Sequence, residues 1–414
     1  MAEYIKKINI DQLRLGMYIA DLDCGWMSHP FWLTRFRVER EEQISQLRDA
    51  GIMAFYIDTR KGIDVSDAQL KSEVDQSIDN ALLDLLVEKP GQVVTAELGT
   101  ELPRAKAILD RAHETIHHIL LDAKLGKKLN LGPVRDVAQE LADSVRRNAD
   151  ALNILARIKE KDSYIFHHSI SVGVLLMILQ HDSGLSSEEV MDAGIGGMLH
   201  DIGKIYVDSQ ILNKPGKLSH IEFEAMRKHV GYGVSVLKQY PELSSDVILP
   251  ALEHHERYDG TGYPFGKKGE QISSLGQKAA IIDVYDALTS DRCYHRGMTP
   301  PMAIRKIFEW SKHHFNPQQV KDFVKSIGIY PVGTLVSLES GKLAVVVEHN
   351  YDDLTSPKVL AFFNMQNKLH IKPQLIDLAR HFGFGGGDRV LRYEDERKWG
   401  LDPYHYLQQW MTWN

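Results

Sequence analysis

The sequence predicts a multidomain protein in which an all-α helical core lies between a small mixed α/β domain and a short β-rich C-terminal tail. Its 414 residues exceed the length of one average domain, which is roughly 100–200 residues. Apolar residues recur at helical spacing through the centre, whereas a period of two replaces that spacing after Tyr330-Pro331. We therefore expect an N-terminal domain over residues 1–130, a helical domain over 131–330 and a β-hairpin extension over 331–414.

The N-terminal domain combines strand-like and helix-like segments. Residues 1–60 alternate short apolar runs with Gly and Pro, a pattern typical of short strands, and they enclose one small helix at Glu41–Asp49. The polar segment Asp67–Leu86 has the apolar rhythm of a linker helix, and Gly91–Pro103 is typical of a loop. These features favour a packing, dimerisation or regulatory module over a ligand sensor.

The helical domain is predicted from its apolar stripes. From Arg104 to Leu125 the apolar residues fall on one face, so this helix either packs on its own domain or forms a dimer seam. A second helix follows Gly132-Pro133, because proline suits the first turn of a helix. The glycines of Gly194–Gly197 indicate close helix packing rather than a phosphate loop. Further helices are predicted at Asp162–Gln180, Ser187–His200, Ser219–Gln239, Ser245–Glu256, Leu275–Thr289, Pro301–His313 and Pro317–Ser326.

The C-terminal tail has the pattern of strands. Apolar and polar residues alternate from Gly333 to Val347, and a Ser340-Gly341 turn within this stretch predicts a β-hairpin. A further strand is predicted at Val359–Phe363. The last thirty residues show no pattern that predicts an element.

Composition excludes several classes of function. The net charge of −7 and the pI of about 6.3 argue against broad binding to DNA or RNA, which needs a basic face. Two cysteines, Cys24 and Cys293, are too few for a disulfide framework and fit a reducing compartment. The longest apolar stretch, near Ser171–Leu179, is less than half of a membrane span, and the N-terminus lacks the apolar core of a signal peptide. We therefore expect a cytoplasmic protein that does not enter a membrane.

Histidine and aspartate residues in the helical domain have the pattern of a metal site. His200-Asp201, at the end of an apolar helix, offers an imidazole nitrogen beside a carboxylate able to bridge two ions. Lys204 follows within one helical turn, so it would lie beside this pair. One such residue alone is more often structural, but several on helices that converge predict a metal centre. The other candidates are His168, His229, His254, His255 and Asp283.

Four sequence segments resemble the HD-GYP subfamily of HD metal-dependent phosphohydrolases. They read HDIGKIYVDSQILNKPGKLS, KHVGYG, HHERYDGTGYP and DVYDALTSDRCYHRGM, and the third contains the name-giving tripeptide Gly262-Tyr263-Pro264. The resemblance covers about residues 155–327, and residues 1–130 resemble the domain often joined to the N-terminal side of such domains. It implies an all-helical domain with a di- or trinuclear metal centre, commonly iron or manganese, that hydrolyses cyclic di-GMP.

The resemblance also implies a role for each matching residue. Asp201 would bridge the metals, and Lys204 would contact the scissile phosphate. The implied metal ligands are His168, His200, Asp201, His229, His254, His255 and Asp283. The implied substrate contacts are Arg292, Arg296 and the loop residues Gly262, Tyr263 and Pro264.

Two departures from the family pattern modify these expectations. Trinuclear members carry a glutamate where this chain has Tyr164, and a phenol with a pKa of about 10 is a poor ligand at neutral pH. We therefore expect two divalent ions, with iron or manganese favoured and nickel or zinc compatible. His295 replaces a usual cation in the segment 292–296, so the hold on the substrate would be weaker or pH-dependent unless Arg296 compensates.

The expected reaction is phosphodiester hydrolysis by a metal-activated hydroxide. Two cations about 3.5–4 Å apart would neutralise the phosphate and lower the pKa of a bridging water from 15.7 towards roughly 7. Attack would open cyclic di-GMP to linear pGpG, and a second hydrolysis to GMP is left open. A cyclic GMP-AMP phosphodiesterase, a catalytically silent cyclic-dinucleotide receptor and a mononucleotide hydrolase are the alternatives. A homodimer and a contact with diguanylate cyclases are also left open.

Overall fold

The computed structural model describes residues 4–23, 35–85, 94–157, 164–214, 216, 218–291, 297–311, 313–380 and 387–413. An antiparallel five-stranded sheet in the order β3-β2-β4-β1-β5 forms the N-terminal domain. Its elements are β1 Ile5–Asn9, β2 Tyr18–Leu22, β3 Phe36–Arg37, α1 Glu41–Asp49, β4 Ala54–Asp58 and β5 Gln69–Leu70. All five residues of the central strand β4 are buried, and Phe55 packs with Ile8, Ile19 and Leu47 in a core of this domain. The prediction of strands around a helix at Glu41–Asp49 is confirmed.

A helical core follows the sheet. Its elements are α2 Lys71–Asp84, α3 Leu98–Lys124, α4 Gly132–Arg157, α5 Tyr164–Asp182, α6 Ser187–Leu199, α7 Ser209–Leu212, α8 His220–Leu237, α9 Ser245–Glu253, α10 Ser274–Thr289, α11 Pro300–Trp310 and α12 Pro317–Ile327. The seven helices predicted between Asp162 and Ser326 are present, with ends that differ by up to three residues. The predicted linker helix at Asp67–Leu86 is α2, but Gln69–Leu70 form β5 instead of its first turn. One difference of three residues falls at the end of α9, where His254 and His255 lie beyond the helix rather than within it.

Helix α3 begins earlier than predicted. The predicted loop over Gly91–Pro103 is wrong from Leu98 onward, because Pro103 lies inside the helix. Leu98 and Leu102 are buried in the helical core, and Glu101 accepts two hydrogen bonds of 2.7 Å from the guanidinium of Arg147 on α4. These tertiary contacts outweigh the cost of the proline. The buried face of α3 also joins the core shared with α4 and α5, so this helix packs within the chain. The homodimer stays a prediction.

Glycines allow α5 and α6 to pack closely, as the sequence predicts. A Cβ atom on Gly197 of α6 would lie 2.7 Å from the Cα atom of Gly173 on α5, and one on Gly194 would overlap the side chain of Met177. None of these glycines has a positive φ, so space rather than backbone conformation requires them. This contact matters for the candidate site, because His168 lies on α5 and His200 directly follows α6.

Gly197→Ala should therefore lower the free energy of unfolding by about 1–3 kcal/mol, the usual cost of overpacking a core. Denaturant unfolding of the whole chain measures this change. Gly231→Ala on α8 is the matched control, because a Cβ atom there would meet nothing within 4 Å. At that exposed helical position alanine should be neutral or stabilise by about 0.5–1 kcal/mol. Equal effects of the two substitutions would contradict the close-packing interpretation.

The C-terminal strands form a second five-stranded antiparallel sheet in the order β10-β6-β7-β8-β9. Its elements are β6 Leu335–Leu338, β7 Lys342–Glu348, β8 Lys358–Asn364, β9 Leu369–Asp377 and β10 Val390–Tyr393, followed by helices α13 Glu396–Trp399 and α14 Pro403–Trp413. The predicted hairpin at Ser340-Gly341 and the strand at Val359–Phe363 are confirmed. One face of β7 joins the helical core through Leu343 and Val345, which explains why these strands are buried on both faces. The domain boundaries at residues 130 and 330 stay predictions.

The sequence predicts a protein that does not enter a membrane, and the lengths and apolar content of the helices bear on this prediction. Within the described residues, no helix combines the length and the apolar content that crossing a membrane requires.

Candidate metal centre

Seven histidine and aspartate side chains from five parts of the helical core meet in one place. His168 is on α5, His200 and Asp201 directly follow α6, His229 is on α8, His254 and His255 follow α9, and Asp283 is on α10. Their candidate ligand atoms form three groups in which all atoms lie within 4.8 Å of one another. These groups are His168/His200/Asp283, His200/Asp201/His254 and His229/His254/His255. The structure thus brings together every residue that the sequence predicts as a metal ligand.

Asp201 lies between two sets of histidines. Its Oδ2 atom is 3.3 Å from Nε2 of His200 and 3.7 Å from Nε2 of His168. Its Oδ1 atom faces the other way, 3.5 Å from Nε2 of His229 and 3.6 Å from Nε2 of His254. Each carboxylate oxygen therefore faces a separate set of imidazoles, which is the geometry a carboxylate needs to bridge two ions.

Backbone carbonyls orient three of the imidazole rings. The Nδ1–H groups of His200, His229 and His254 donate hydrogen bonds of 2.7 Å to the carbonyl oxygens of Gly197, Met226 and Pro250 respectively. A carbonyl oxygen only accepts, so the proton of a neutral ring resides on Nδ1. This arrangement leaves each Nε2 lone pair directed at the centre, as metal ligation requires.

A carboxylate that the sequence interpretation missed orients the fourth ring. Nδ1 of His168 lies 2.8 Å from Oδ2 of Asp286, which is buried one turn beyond Asp283 on α10. A carboxylate in this position fixes the ring and raises its basicity as a ligand. The signal was present in the sequence, since Asp283 and Asp286 are three residues apart and share a helix face.

Two unsatisfied polar atoms support a cation at this centre. Nε2 of His200 and Oδ1 of Asp201 are buried and have no hydrogen-bond partner among the described residues. A buried polar atom without a partner is costly. A divalent cation between these imidazole and carboxylate donors would satisfy both atoms, and the donor set suits first-row metals. The residues present therefore fit a metal ion.

Burial and charge set the protonation states of these groups. Burial alone would raise the pKa of Asp201, but His200 and Lys204 hold it well below its usual range. Burial lowers the pKa of His229 to about 3, and burial beside other histidines lowers that of His255 well below its usual range. These groups are thus an ionised carboxylate and neutral imidazoles, the forms that bind metals.

His168 differs from the other histidines. Burial acts to lower its pKa, but hydrogen bonds to Asp283 and Asp286 raise the pKa of His168 to about 9. Its Nε2 atom lies 3.1 Å from Oδ1 of Asp283. A cation shared by these two atoms would replace the proton between them.

Lys204 lies beside Asp201, as the sequence predicts. It belongs to a 3-10 turn at Ile202–Tyr206, and its Nζ atom pairs with Oδ2 of Asp201. Gly203 brings this turn against α8, because a Cβ atom there would lie only 1.9 Å from the carbonyl oxygen of His229. The turn thus holds an ammonium group, about one quarter exposed, at the edge of the buried centre.

The loop with Gly262, Tyr263 and Pro264 covers His255. The Tyr263 ring stacks on the imidazole of His255 with centroids 4.6 Å apart, and its backbone N–H donates to the His255 carbonyl oxygen over 3.1 Å. A side chain on Gly262 would collide with the backbone of Arg257, since a Cβ atom there would be 2.3 Å from its nitrogen, whereas Pro264 is exposed.

Two buried glutamates accept hydrogen bonds from backbone N–H groups in this loop and in the segment that follows it. Glu256 accepts hydrogen bonds from the backbone N–H groups of Phe265 and Lys267 at 2.8 and 2.9 Å. Glu253 accepts from the backbone N–H of Ser273 over 2.9 Å. The predicted substrate contacts Arg292 and Arg296 lie outside the described residues, as does His295.

Comparison with known proteins agrees with this arrangement. A family model described as HD domain matches residues 152–319, and a model for a domain of unknown function, DUF3391, matches residues 5–134. A cyclic di-GMP phosphodiesterase of Pseudomonas aeruginosa is 38% identical over 398 residues, which are 96% of this chain and 94% of that protein. A cyclic di-GMP phosphodiesterase of Thermotoga maritima is 34% identical over 45% of this chain and 50% of its own length. A 3′3′-cGAMP-specific phosphodiesterase of Vibrio cholerae is 32% identical over 46% of this chain and 36% of its own.

The similarity to the Pseudomonas protein extends over nearly the whole of both chains and includes both matched domains. The histidines and aspartates that carry the HD-GYP motifs also meet in space. The chain is therefore a member of the HD-GYP family of HD-domain proteins, with a DUF3391 domain at the N-terminal side of its HD domain.

Proposed function

We infer that this protein hydrolyses a phosphodiester bond of cyclic di-GMP to give linear pGpG. The observation that carries this inference is the position of Asp201, whose two oxygens face separate sets of buried histidines. Relatives named as cyclic di-GMP phosphodiesterases support cyclic di-GMP as the substrate. Among them is the Pseudomonas aeruginosa protein, which aligns over 94% of its length. The net charge of −7 argues against a nucleic acid as ligand and is compatible with a small anion held in a local positive site.

The donor atoms support a site for two divalent ions. His168, His200 and Asp283 would hold one ion, and His229, His254 and His255 the other, with Asp201 shared between them. Bound ions would supply charge neutralisation of the phosphate and a water activated as a nucleophile at neutral pH. Iron or manganese is favoured by family resemblance, while imidazole and carboxylate donors are also compatible with nickel and zinc.

Residues of the chain itself position and stabilise the substrate. The Lys204 ammonium, at the edge of the centre, would contact a non-bridging phosphate oxygen where negative charge develops. Burial, together with the charges of Asp283 and Asp201, raises the pKa of Tyr263 well above its usual range. Its hydroxyl therefore keeps a proton at neutral pH and can donate a hydrogen bond to a bound phosphate or sugar. Through its stacking on His255, the same residue would exclude water from one side of the centre.

Cyclic GMP-AMP is the second candidate substrate. It is supported by the relatives in Vibrio cholerae that are named as 3′3′-cGAMP-specific phosphodiesterases. The two substrates differ in one base, whereas the metal centre acts on the phosphodiester that they share. Base choice would therefore depend on contacts outside the seven histidine and aspartate residues.

The test is anaerobic incubation of the protein loaded with iron or manganese, with cyclic di-GMP and cyclic GMP-AMP in separate reactions. Chromatography follows the products, and elemental analysis gives the metal content of the same samples. Linear dinucleotide together with about two metals per chain would support the proposal and identify the substrate. Two bound metals without product from either nucleotide would favour a receptor or a different phosphate substrate.

Asp286 provides a prediction about metal affinity. Asp286→Ala removes the carboxylate behind His168 and should weaken metal binding by about 10- to 100-fold, the usual effect of losing such a partner. Asp286→Asn keeps an acceptor for the Nδ1–H group without the charge and should have a smaller effect. Titration of the metal-free protein with Mn²⁺ measures both affinities. Wild-type affinity of the alanine variant would show that Asp286 does not support His168 as a ligand.

A further inference from the structure

Four polar side chains join the N-terminal sheet to the C-terminal end of α11. Nζ of Lys7 on β1 lies 2.5 Å from Oδ2 of Asp23 and also pairs with Glu309. The indole N–H of Trp310 donates to Oδ1 of Asp23 over 3.0 Å. We call Lys7, Asp23, Glu309 and Trp310 the clasp. Tyr56 on β4 adds a hydrogen bond from its hydroxyl to Glu309.

The clasp continues into the loop that covers the metal centre. Trp310 packs against His314, with ring centroids 6.1 Å apart, and the carbonyl oxygen of His314 accepts a hydrogen bond of 2.9 Å from the backbone N–H of Tyr258. The N-terminal domain also lies close to this loop, since a Cβ atom added to Gly51 would be 3.5 Å from the methyl carbon of Thr261. A cavity of about 350 Å³ lies between the two domains here, lined by clasp residues, Gly51 and His314.

The far end of the loop contacts a candidate metal ligand. Tyr258 and Thr261 lie five and two residues before Tyr263, whose ring stacks on His255. A continuous series of contacts thus runs from Asp23 through Trp310, His314 and Tyr258 to Tyr263. Each step is a hydrogen bond, a ring contact or a short stretch of chain.

The buried charges of the clasp indicate that it fixes the relative orientation of the two domains rather than only strengthening their association. Asp23, Glu309 and Trp310 are largely buried, and taking charges out of water costs free energy that their mutual attraction barely returns. Well-packed apolar side chains of similar volume often join two surfaces at least as strongly. Directional bonds such as Trp310 to Asp23 instead fix one relative arrangement of the two surfaces.

We propose that the DUF3391 domain positions the Tyr263 loop of the HD domain, and that Trp310 is the positioning residue through which it acts. Loss of the Trp310–Asp23 hydrogen bond would allow the end of α11, His314 and the loop to shift together. Tyr263 would then no longer stack on His255 in one fixed orientation. The consequence for turnover rests on the proposed function, whereas the consequence for the loop does not.

Trp310→Phe tests the proposal, because it removes the indole N–H and keeps an aromatic ring. Trp399→Phe is the matched control, since the indole of Trp399 donates a similar bond, of 3.1 Å, to Glu394 in the C-terminal part of the chain. Hydrogen exchange of the amides in residues 257–265 is measured on the full chain, together with kcat, KM and metal content. We expect faster exchange in this segment and a kcat about three- to tenfold lower for Trp310→Phe, with unchanged metal content, because small displacements of positioned groups slow catalysis. Trp399→Phe should leave both quantities at wild type.

Two outcomes overturn the proposal. Wild-type exchange in the loop of the Trp310→Phe protein would mean that the clasp does not reach Tyr263. Equal losses in both variants would indicate general destabilisation rather than positioning. Should Trp310→Phe fail to fold, Asp23→Ala, which removes the acceptor of the Trp310 N–H group and the partner of Lys7, is judged by the same two readouts. Should the wild-type protein turn over neither nucleotide, the proposed function fails while the exchange experiment still decides the clasp.

Discussion

Asp201→Ala is expected to abolish metal binding and turnover together. The two oxygens of Asp201 face His168 and His200 on one side and His229 and His254 on the other. Its removal therefore takes a donor from both proposed ions at once, whereas loss of a histidine takes a donor from one. Metal content after loading with Fe²⁺ or Mn²⁺, and product formation from cyclic di-GMP, should both fall to background.

Asp192→Ala is the control for this substitution. Asp192 is a buried carboxylate on α6 that accepts a hydrogen bond of 2.6 Å from Ser244 and belongs to none of the three candidate ligand groups. Its loss should lower the free energy of unfolding by about 1–3 kcal/mol and leave full metal content. If Asp201→Ala retained two metals per chain, the bridging role would be refuted. If Asp192→Ala also lost metal, the effect would reflect damage to α6.

The candidate metal ligands were predictable because several of them are neighbours in the sequence. His200-Asp201 and His254-His255 are neighbours in sequence at the ends of α6 and α9, so finding one member identifies the other. The family motifs then linked these pairs to His168, His229 and Asp283. The structure supplies what spacing could not, namely that the oxygens of Asp201 face opposite sets of rings.

Residues that act through tertiary contacts were missed. Asp286 contacts His168 across 118 residues of sequence. Its three-residue spacing from Asp283 was a signal, but spacing alone does not show which side chain the carboxylate contacts. The clasp is less predictable still, because Asp23 and Trp310 are 287 residues apart and belong to different domains. The start of helix α3 was mispredicted for the same reason. Buried leucines and the Glu101–Arg147 ion pair stabilise helical turns on the N-terminal side of Pro103, where the sequence predicted a loop.

The candidate metal ligands are thus the part of the site that the sequence predicted best. A metal centre requires particular donor types, and those types are recognisable wherever they occur. Its supporting residues require only a hydrogen bond of the right geometry, which many residue types can provide. Predictions about Asp286 and Trp310 therefore depend on the structure, whereas those about Asp201 and Lys204 followed from the sequence and are sharpened by distances.

Lys204→Ala should separate catalysis from metal binding. The Lys204 ammonium pairs with Oδ2 of Asp201 but offers no lone pair to a metal when protonated, so both ions should still bind. Loss of its charge beside the developing phosphate charge should lower kcat by about 100- to 1000-fold, as removal of one preorganised donor does in other enzymes. Metal content and kcat are measured on the same loaded samples.

Lys214→Ala is the matched control, because Lys214 also lies in an ion pair, of 2.6 Å with Glu222, and its side chain is 32% exposed against 28% for Lys204. It should retain wild-type kcat, since Lys214 belongs to none of the proposed ligand or substrate-contact residues. A wild-type rate for Lys204→Ala would refute its role at the phosphate. A loss of metal in Lys204→Ala would instead mean that the lysine acts by holding Asp201 in place. The expected result is full metal content in both variants and a lower kcat in Lys204→Ala alone. It would show that the Lys204 ammonium stabilises the transition state.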